Sequence, residues 1–403
     1  MNVHHVKQGM SNSVSDAYSL KKPPVVAFVI EELSVGGAEH MLTVMANEFV
    51  DRGWHVHMIC LAQAGELATL LNESISLYVL NKQRGIDLRL PGRFARCVEE
   101  IQPDIINSHL WVANAWTRIA LLRTSWPVVV TEHSRDSWKP VHYRWIDQML
   151  AGRARQMVTV SEDTASFYKN SIGIDAQMIT VIHNGVDAKQ YAAGCGHGVK
   201  QAWLELDLTL NDTEREFFLI GTVGRLVKAK NHRRLIDACA RLINDTELAS
   251  RFDIRLKIVG EGPERSRLQH YIDELGLGHS MTLAGARHDI PDVLAAFDVF
   301  VLSSDREGHP LTALEAQAAG TPVILTDVGG ASEAIAREGE RSGGLLVQPC
   351  VDALTDALRE TIAKPEALAQ RAAFAQQYAL ENFDKKQMIE RYEAVFLSAM
   401  LEQ

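Results

Sequence analysis

Short apolar runs alternate with longer stretches of mixed polarity along most of the chain. The first run, Val25–Ile30, is apolar at every position, which is typical of a strand buried on both faces of a parallel sheet. A turn at Ser34–Gly37 follows, and the apolar spacing from Ala38 to Arg52 predicts an amphipathic helix that Gly53 ends. Further strands of this first half are predicted at residues 56–61, 105–107, 128–130, 157–160 and 179–182.

A second cycle of strands and helices begins at residues 217–220, and its later strands are predicted at residues 255–259, 281–283, 299–302, 323–325 and 344–347. Residues 188–216 separate the cycles, and three glycines followed by polar residues there are typical of a linker. Strands separated by helices predict an α/β protein with two doubly wound, Rossmann-like domains that face each other. The N-terminal domain is expected over residues 23–187 and the C-terminal domain over residues 217–384, with a flexible tail at residues 1–22.

Composition narrows the function classes. The 403 residues are 46% hydrophobic and 23% charged, as in an ordinary globular protein, and the net charge of −10 argues against nucleic acid as a partner. The five cysteines are scattered and include no C-x-x-C, so we expect reduced thiols and a cytoplasmic protein without a zinc site. The first twenty-odd residues lack an apolar segment and no run of eighteen apolar residues occurs, so neither a secretory signal nor a membrane span is expected.

Two glutamates, Glu307 and Glu315, lie eight residues apart around a predicted helix start. The apolar strand at residues 299–302 precedes them, Pro310 stands near the start of the helix, and Gly320 follows its end. Ligands of open α/β sheets bind at the carboxyl ends of the strands, and a helix start there offers free N–H groups to an anion. Carboxylates accept hydrogen bonds from hydroxyl groups, so the segment indicates a ligand with both phosphate and hydroxyls, such as a sugar nucleotide.

A turn with glycine and cations, residues 224–231, follows the first strand of the second half. Arg225 and Lys230 are suited to contact a diphosphate, although both can also be solvated surface charges. The second phosphate-suited helix start at residues 308–312 favours the binding role.

Two other glycine turns allow two interpretations each. Gly36 and Gly37 occupy the corresponding turn of the first half, where they either admit a ligand close to the backbone or form a plain turn in which Glu39 complements the helix dipole. Gly260 either lines a nucleotide pocket or precedes a helix. Neither turn is a G-x-G-x-x-G, which argues against a nicotinamide dehydrogenase.

His109 and His133 each follow a predicted strand of the first half, where ligands bind, although an isolated histidine is more often structural. His109, Trp111 and Glu132 are candidates for contacting a second substrate, the acceptor of a transferred group.

Five of the seven tryptophans fall between residues 111 and 145, and a basic run from Lys82 to Arg96 precedes them. Aromatic residues mixed with cations suit a lipid headgroup interface. The alternative, a tryptophan-rich core with solvated cations, is slightly favoured. The members are Trp111, Trp116, Trp126, Trp138 and Trp145, interleaved with Arg118, Arg123, Arg135, Lys139 and Arg144.

No two aspartates are spaced i and i+2 in the sequence, so the D-x-D motif that binds a metal and a diphosphate is absent. We therefore expect no metal and no other cofactor. Arg225, Lys230 and the helix dipole would neutralise the leaving diphosphate instead.

In order and spacing, these motifs resemble those of the retaining GT-B glycosyltransferases of the large family four, which use nucleotide-activated sugars. The resemblance covers roughly residues 24–400. It rests on five segments, residues 36–39, 181–187, 224–231, 260–264 and 307–333.

The resemblance implies a role for each matched residue. Arg225 and Lys230 would hold the donor diphosphate, Glu307 would bind the donor-sugar hydroxyls at the reaction centre, and Glu315 would bind the ribose. His133 matches the active-site histidine of the family. Further donor contacts are implied for Gly36, Gly37, Gly260, Gly308, His309, Leu311 and Thr312, and a contact with the base for Arg287. His309 stands where the family often has an aromatic residue.

The resemblance also implies a central cleft lined at residues 184–187, with a last helix at residues 385–403 that returns to the N-terminal domain. The implied reaction moves a sugar, with UDP as the commonest donor nucleotide, to a hydroxyl acceptor with retention of configuration. Together with the tryptophan-rich region it predicts a lipid-linked acceptor at the inner face of the cytoplasmic membrane, in polysaccharide or glycolipid synthesis. The alternatives are a nucleotide-sugar epimerase or hydrolase of the same fold, and a non-catalytic sugar-nucleotide-binding protein.

Overall fold

The computed structural model describes residues 22–135, 140–207 and 215–401, which divide into two compact units. The first unit comprises the residues up to 159, residues 165–182 and those from 389 onward, and the second comprises residues 160–164 and 183–388. Each unit is built around one parallel sheet, which confirms the prediction of two Rossmann-like α/β domains. Of the predicted tail, only Lys22 lies within the described residues.

The sheet of the first unit has seven parallel strands in the order β3-β2-β1-β4-β5-β6-β7. β1 lies between β2 and β4, so the strand order reverses there, and in doubly wound sheets ligands bind at that switch point. The strands are β1 (Val25–Ile30), β2 (His55–Cys60), β3 (Ser76–Val79), β4 (Ile105–His109), β5 (Val128–Glu132), β6 (Gln156–Thr159) and β7 (Ile179–Val181).

Helices connect these strands, and the strands are apolar because helices cover them. The α-helices are α1 (Gly37–Asp51), α2 (Leu90–Ile101), α3 (Leu110–Ala120), α4 (Val141–Leu150) and α5 (Glu162–Phe167). Short helical turns lie at Glu66–Leu70, Ala151–Arg153, Tyr168–Ile172 and Ala176–Met178.

The second unit has a six-stranded parallel sheet in the order β10-β9-β8-β11-β12-β15, and its switch point lies between β8 and β11. The strands are β8 (Glu216–Val223), β9 (Phe252–Val259), β10 (Met281–Gly285), β11 (Val299–Leu302), β12 (Val323–Thr326) and β15 (Gly344–Val347), with a small antiparallel pair formed by β13 (Arg337–Glu338) and β14 (Arg341–Ser342).

The α-helices of the second unit are α6 (Ala188–Ala192), α7 (Gly196–Asp207), α8 (His232–Ile243), α9 (Thr246–Arg251), α10 (Arg265–Glu274), α11 (Ile290–Ala296), α12 (Leu311–Ala318), α13 (Val351–Ala363) and α14 (Pro365–Asn382). Short helical turns lie at Lys228–Lys230 and Gly329–Ala334. Two buried apolar clusters contact the sheet of this unit.

The last helix, α15 (Lys385–Leu401), contributes its residues from Ile389 to the first unit. Phe396 is fully buried there, with ring centroids 6.1 Å from Phe28 and 5.3 Å from Phe49. Glu393 accepts hydrogen bonds from Arg52 (2.8 Å) and from the indole of Trp54 (3.0 Å). This helix therefore closes the apolar core of the first unit.

The predicted linker is folded over most of its described length. Residues 188–207 form α6 and α7 within the second unit, and Trp203 of α7 stacks on Phe297 at 5.8 Å. Two of its three glycines permit close packing, since a Cβ at Gly196 would lie 2.2 Å from the backbone of Ala295, and one at Gly194 would lie 2.5 Å from the oxygen of Pro291. Residues 208–214 lie outside the described part of the chain.

Within the described residues, no helix is long and apolar enough to cross a membrane.

Candidate functional site

Lys230 and Glu307 meet at the switch point of the second sheet. Lys230 ends the turn that follows β8, and Glu307 lies in the loop that follows the neighbouring strand β11. The ammonium group of Lys230 donates to Glu307 Oε1 at 2.7 Å, and the hydroxyl of the buried Ser304 donates to the same oxygen at 2.5 Å. Both donors therefore engage one carboxylate oxygen, and Oε2 keeps its capacity to accept a hydrogen bond from a ligand.

The two loops that carry Lys230 and Glu307 are bound to each other along their length. Ser303 Oγ lies 3.2 Å from the carbonyl oxygen of Lys230, and the backbone N–H of Asp305 donates to the oxygen of Ala229 at 2.8 Å. Arg234 of α8 donates to the oxygen of Ser303 at 2.7 Å and to the carboxylate of Asp305 at 2.6 Å. These hydrogen bonds hold the two loops together, so the distance between the Lys230 ammonium group and the Glu307 carboxylate does not depend on their ion pair alone.

The glycine pair Gly329–Gly330 allows a second backbone to lie against the loop of Glu307. A Cβ at Gly329 would stand 2.0 Å from the carbonyl oxygen of Glu307, and one at Gly330 would stand 1.9 Å from that of Gly308. The N–H of Gly330 donates to the oxygen of Glu307 at 3.2 Å, and Gly329 has a φ of +56°, a conformation that favours glycine. The pair therefore supports the backbone of Glu307 by close packing.

His309 is buried beneath this loop in a network of polar groups. Its ring stacks on His183 at 4.9 Å, and Asn184 donates to its carbonyl oxygen at 2.7 Å. Burial, with a further contribution from His183, lowers the pKa of His309 to about 4. His309 is therefore a neutral side chain packed against His183.

Glu333 joins the same network. Its carboxylate lies 2.9 Å from His183 Nε2 and accepts from the backbone N–H groups of Glu162 (2.7 Å) and Asp163 (3.0 Å). Burial would raise the pKa of Glu333, but these hydrogen bonds outweigh it and hold the pKa below its usual value.

Helix α12 begins directly after His309 and offers an uncapped N-terminus. Its N-cap position is Pro310, and no side chain hydrogen-bonds to the first turn. The N–H groups of Leu311 and Thr312 therefore have no side-chain acceptor, as expected where a helix start binds an anion.

Glu315 lies inside α12 and is buried. Burial raises the pKa of its carboxyl to about 7, and a hydrogen bond with Tyr191 offsets part of that increase. Glu315, the predicted ribose contact, is therefore partly protonated at neutral pH.

Arg225 and Gly260 lie on neighbouring loops of the same sheet edge. Arg225 is exposed, and no described residue forms an ion pair with its guanidinium group. Gly260 has a φ of +136°, and a Cβ there would lie 2.0 Å from the oxygen of Gly224, while its N–H donates to Gly285 at 2.8 Å. In this structure Gly260 packs the loops after β8, β9 and β10 together.

Arg287, which is predicted to contact the base, pairs with Asp289, with 2.8 Å between Nε and Oδ1. That hydrogen bond raises the pKa of the guanidinium group. The guanidinium carbon also lies 5.9 Å from the ring centroid of Trp203.

The glycine turn of the first unit follows β1. Helix α1 starts at Gly37, and Gly36 occupies the N-cap position. A Cβ at Gly36 would lie 2.2 Å from the Oε2 atom of Glu39, so the acidic side chain folds back over the turn. The glycine therefore makes room for Glu39 near the helix start, where a carboxylate is favourable.

His109 and His133 contact each other at the ends of the neighbouring strands β4 and β5. His109 Nδ1 lies 3.0 Å from His133 Nε2, and His109 Nε2 lies 2.6 Å from Asn107 Oδ1. Burial, with a further contribution from His133, lowers the pKa of His109 well below its usual value, and burial lowers the pKa of His133 to about 4. Leu110, directly after His109, has a φ of +68°, a strained backbone conformation for leucine.

Glu132 and Trp111, the other acceptor-side candidates, are held by polar contacts within the first unit. Asn114 donates to Glu132 Oε1 at 2.8 Å, and Glu132 is almost fully buried. The indole of Trp111 donates to Asp147 at 2.9 Å, and the fully buried Arg118 donates to the other oxygen of Asp147 at 2.8 Å. Trp111 and Arg118 of α3 are thereby tied to α4.

The tryptophan-rich region is a mixture of core and surface. Trp116 and Trp126 pack against the apolar core, whereas Trp145 is 68% exposed. Trp145 shares one face of α4 with Val141 and Met149, which are 66% and 78% exposed, because residues four apart lie on one side of a helix. Trp138 and Lys139 lie outside the described residues.

Contacts found in the structure add three polar residues to the candidates. Ser304 binds Glu307, Asn107 binds His109, and Tyr191 binds Glu315. A signal for Ser304 and Asn107 exists in the sequence, since both lie at or next to the carboxyl end of an apolar strand. Among the described residues, no group of three or more His, Cys, Asp or Glu side chains is arranged to hold a metal ion.

The chain matches two family models in succession. The model described as "Glycosyltransferase Family 4" covers residues 35–190, and that described as "Glycosyl transferases group 1" covers residues 210–378.

Characterised relatives and solved structures agree with these matches. The chain is 29% identical over 301 residues to the UDP-Gal:alpha-D-GlcNAc-diphosphoundecaprenol alpha-1,3-galactosyltransferase of Escherichia coli, covering 71% of this chain and 74% of the relative. It is 30% identical over 322 residues to the D-inositol 3-phosphate glycosyltransferase of Corynebacterium urealyticum, covering 72% of each. The structure of Anabaena Alr3699/HepE in complex with UDP superposes with a TM-score of 0.77 at 23% identity, covering 93% of this chain and 100% of that chain.

The last likeness shows the fold, which is that of the GT-B enzymes. Both family models and the relatives then agree on the activity class, and the chain belongs to the group 1 glycosyltransferases, enzymes that act on nucleotide sugars.

Proposed function

We propose that this protein is a retaining, metal-independent glycosyltransferase that moves a sugar from a UDP-sugar to a hydroxyl group of a lipid-linked acceptor. The observation that carries the proposal is the contact of Lys230 and Ser304 with one oxygen of Glu307, beside the uncapped start of α12. It combines a cation, free N–H groups and a carboxylate oxygen with spare acceptor capacity.

The donor diphosphate binds the cationic side of this cluster. Lys230 and the exposed Arg225 supply positive charge, and the N–H groups of Leu311 and Thr312 supply hydrogen bonds along the helix dipole. Lys230 then shares its ammonium group between the phosphate and Glu307 Oε1, since an ammonium group has three donors. Gly308 and His309 place the helix start, and Gly260 and Arg287 shape the loops at the nucleoside end.

The donor sugar and the ribose bind the two carboxyl groups. Glu307 Oε2 accepts hydrogen bonds from sugar hydroxyls, and Glu315 binds the ribose in exchange for its contact with Tyr191. His133 contributes a further hydrogen bond to a substrate hydroxyl, and Gly36 and Gly37 admit the donor near the start of α1.

In the proposed reaction the bond between the anomeric carbon and the diphosphate oxygen breaks, and its electron pair stays on the diphosphate. The acceptor oxygen bonds to the same face of that carbon and passes its proton to a leaving phosphate oxygen. Arg225, Lys230 and the helix start stabilise the charge that develops on the diphosphate, so no metal is required. Undiminished transfer in the presence of a chelator is the expected result.

The acceptor side is proposed to be the first unit, with a lipid-linked substrate taken from a membrane surface. The Escherichia coli relative acts on a diphosphoundecaprenol-linked substrate, as its name states. The exposed stripe of Val141, Trp145 and Met149 on α4 suits contact with lipid, because tryptophan is favoured at membrane interfaces. His109, Glu132 and Trp111 belong to the polar layer of the same unit.

Transfer of label from UDP-galactose and UDP-glucose to a membrane-lipid extract tests the reaction. Lys230→Ala and Glu307→Ala are expected to lower the rate by at least about 100-fold, as loss of transition-state electrostatic contacts does. Lys228→Ala is the matched control, because it removes an exposed ammonium group from the same helical turn. Near-normal transfer in both active-site variants would refute the assignment, and free sugar, an epimer or bound but unreacted donor would favour the alternative functions.

Vesicle binding tests the membrane contact separately. Trp145→Ser is expected to weaken sedimentation with vesicles of phosphatidylglycerol, whereas Leu70→Ser, which removes a 54% exposed apolar side chain elsewhere in the first unit, should not. Equal binding by both variants, or no binding by the unchanged protein, would count against a membrane-bound acceptor.

A further inference from the structure

The surrounding contacts determine which nitrogens of the fully buried His109 and the half-buried His133 carry protons. The backbone supplies the starting point, since the side-chain amide nitrogen of Asn107 donates to the carbonyl oxygen of Val129 at 3.1 Å. A carbonyl oxygen can only accept, so this contact fixes which end of the amide is nitrogen. A second contact, from the same nitrogen to Thr131 Oγ1 at 3.0 Å, agrees with that orientation.

The orientation of Asn107 determines the proton position on His109. With its nitrogen turned towards Val129, Asn107 presents Oδ1 to His109 Nε2 at 2.6 Å. An amide oxygen is an acceptor, so Nε2 of His109 must carry the proton. His109 is fully buried, and its pKa is lowered well below the usual value by burial, so its ring is neutral and Nδ1 carries a lone pair.

The same reasoning extends to His133. His109 Nδ1 is an acceptor 3.0 Å from His133 Nε2, so Nε2 of His133 must donate and carry its proton. In a neutral imidazole the other nitrogen then has the lone pair. His133 Nδ1 has no hydrogen-bond partner among the residues that the structure describes.

We propose that Asn107 and His109 are positioning residues that hold His133 as the Nε2–H tautomer, so that Nδ1 is presented as an acceptor for a hydroxyl group of the substrate. The tautomer assignment stands on the contacts of Asn107, His109 and His133 together with the burial of His109, which keeps its ring neutral. The hydroxyl ligand rests on the proposed function, since sugars and hydroxyl acceptors are the donors that reaction supplies.

The pairing also restricts what His133 can do. A lone-pair nitrogen accepts a hydrogen bond and cannot donate one, so His133 selects hydroxyl groups and does not bind the oxygen atoms of a phosphate. Burial lowers the pKa of His133 to about 4, so Nδ1 is a weak base that accepts a hydrogen bond without taking up the proton.

The assignment can be tested on the unchanged protein without any ligand. The protein is labelled with ¹⁵N-histidine, the ring nitrogens of His133 are assigned by comparison with His133→Asn, and their chemical shifts and couplings to ring protons are recorded at pH 7. We expect one pyrrole-type Nε2 and one pyridine-type Nδ1. An Nδ1–H tautomer, or a fast-exchanging mixture of tautomers, would overturn the proposal.

Two variants of His109 test whether it acts on His133 through that one nitrogen. His109→Asn keeps an acceptor, since the asparagine Oδ1 occupies nearly the position of the histidine Nδ1, whereas His109→Leu removes it. The leucine variant is expected to lose the single tautomer and to lower kcat about tenfold with a smaller effect on KM, and the asparagine variant to restore both. Equal losses of activity in two folded variants, with the His133 shifts unchanged, would contradict the relay.

The outcomes separate this inference from the proposed function. If His133 shows the expected tautomer but no sugar is transferred from UDP-galactose or UDP-glucose in any variant, the relay stands and the proposed reaction fails. If transfer occurs and His133 shows the Nδ1–H tautomer, the reaction stands and the relay is wrong.

Discussion

Replacement of Glu315 by glutamine tests how the second unit tolerates a buried carboxyl group. Glu315 is 7% exposed, and burial raises its pKa from 4.5 to about 7. Since one pKa unit corresponds to about 1.4 kcal/mol, ionised Glu315 costs the folded unit about 3 kcal/mol relative to the unfolded chain. A pKa that is raised by folding contributes stability fully below the unfolded value of 4.5, and this contribution is lost as the pH rises through about 7.

Glu315→Gln removes the titration and keeps an oxygen that accepts the hydrogen bond of Tyr191. We expect the free energy of unfolding of the variant, minus that of the unchanged protein, to rise by about 3 kcal/mol between pH 4.5 and pH 8.5. Only the unchanged protein has to bury the charge at the upper end of that range. All other titrating groups are common to both proteins and cancel in the difference.

Urea denaturation at a series of pH values measures this difference. Because a chain with two units need not unfold in one step, hydrogen exchange of the α12 amides assigns the relevant transition to the second unit. Glu366→Gln, at an exposed glutamate of α14, is the control and should give a constant difference across the range. A constant difference for Glu315→Gln as well would refute the reasoning.

Three further outcomes follow from the packing. Asp147→Ala leaves the fully buried Arg118 without its counterion and should destabilise the first unit by about 3–5 kcal/mol in urea denaturation. The double variant Arg118→Met, Asp147→Leu should lose less stability, and equal losses would contradict this prediction. Gly330→Ala forces a Cβ against the loop of Glu307, so the second unit should lose about 1–3 kcal/mol of stability and, under the proposed function, the KM for the donor should rise. Gly198→Ala, where a Cβ meets nothing within 4 Å, should affect neither. Burial lowers the pKa of His232 to about 4, so its neutral form stabilises the fold above pH 6.5 and this stability is lost as the pH falls. Relative to His232→Gln, the unchanged protein should lose about 3 kcal/mol of unfolding free energy between pH 6.5 and pH 4 in urea denaturation. Parallel pH profiles of the two proteins would contradict this prediction.

Most of the fold follows from runs of apolar residues. Val25–Ile30, Val299–Leu302 and Gly344–Val347 are strands with the predicted bounds, because helices cover both faces of the sheet and leave no polar alternation to confuse the pattern. The strand Ser76–Val79 escapes prediction because it is a half-exposed edge strand of mixed polarity. Gly194 and Gly196 are mistaken for linker residues, since a sequence does not distinguish a glycine that permits close packing from one that permits motion.

The site is predicted in part. The positions of Lys230 and Glu307 at strand ends are evident from the pattern, and their contact follows from β8 and β11 being neighbours at the switch point. The pairing of His109 with His133 likewise follows from the adjacency of β4 and β5, although each histidine taken alone indicates little. Ser304 and Lys230 both donate to the same oxygen of Glu307. This contact depends on side-chain rotamers and atomic distances, which cannot be predicted from the sequence.

The division of the chain has a consequence for how the protein is made. The first unit takes residues 389–401 from beyond the whole of the second unit, and the fully buried Phe396 among them completes the aromatic core with Phe28 and Phe49. Domains fold on the ribosome in the order of their synthesis. Most of the first unit is synthesised first, but its core is incomplete until residues 389–401 are made, whereas all residues of the second unit are made by residue 388. The N-terminal unit is therefore the later one to mature, with an open aromatic surface throughout the synthesis of its partner, and a nascent chain halted near residue 385 would expose that surface to chaperones and proteases.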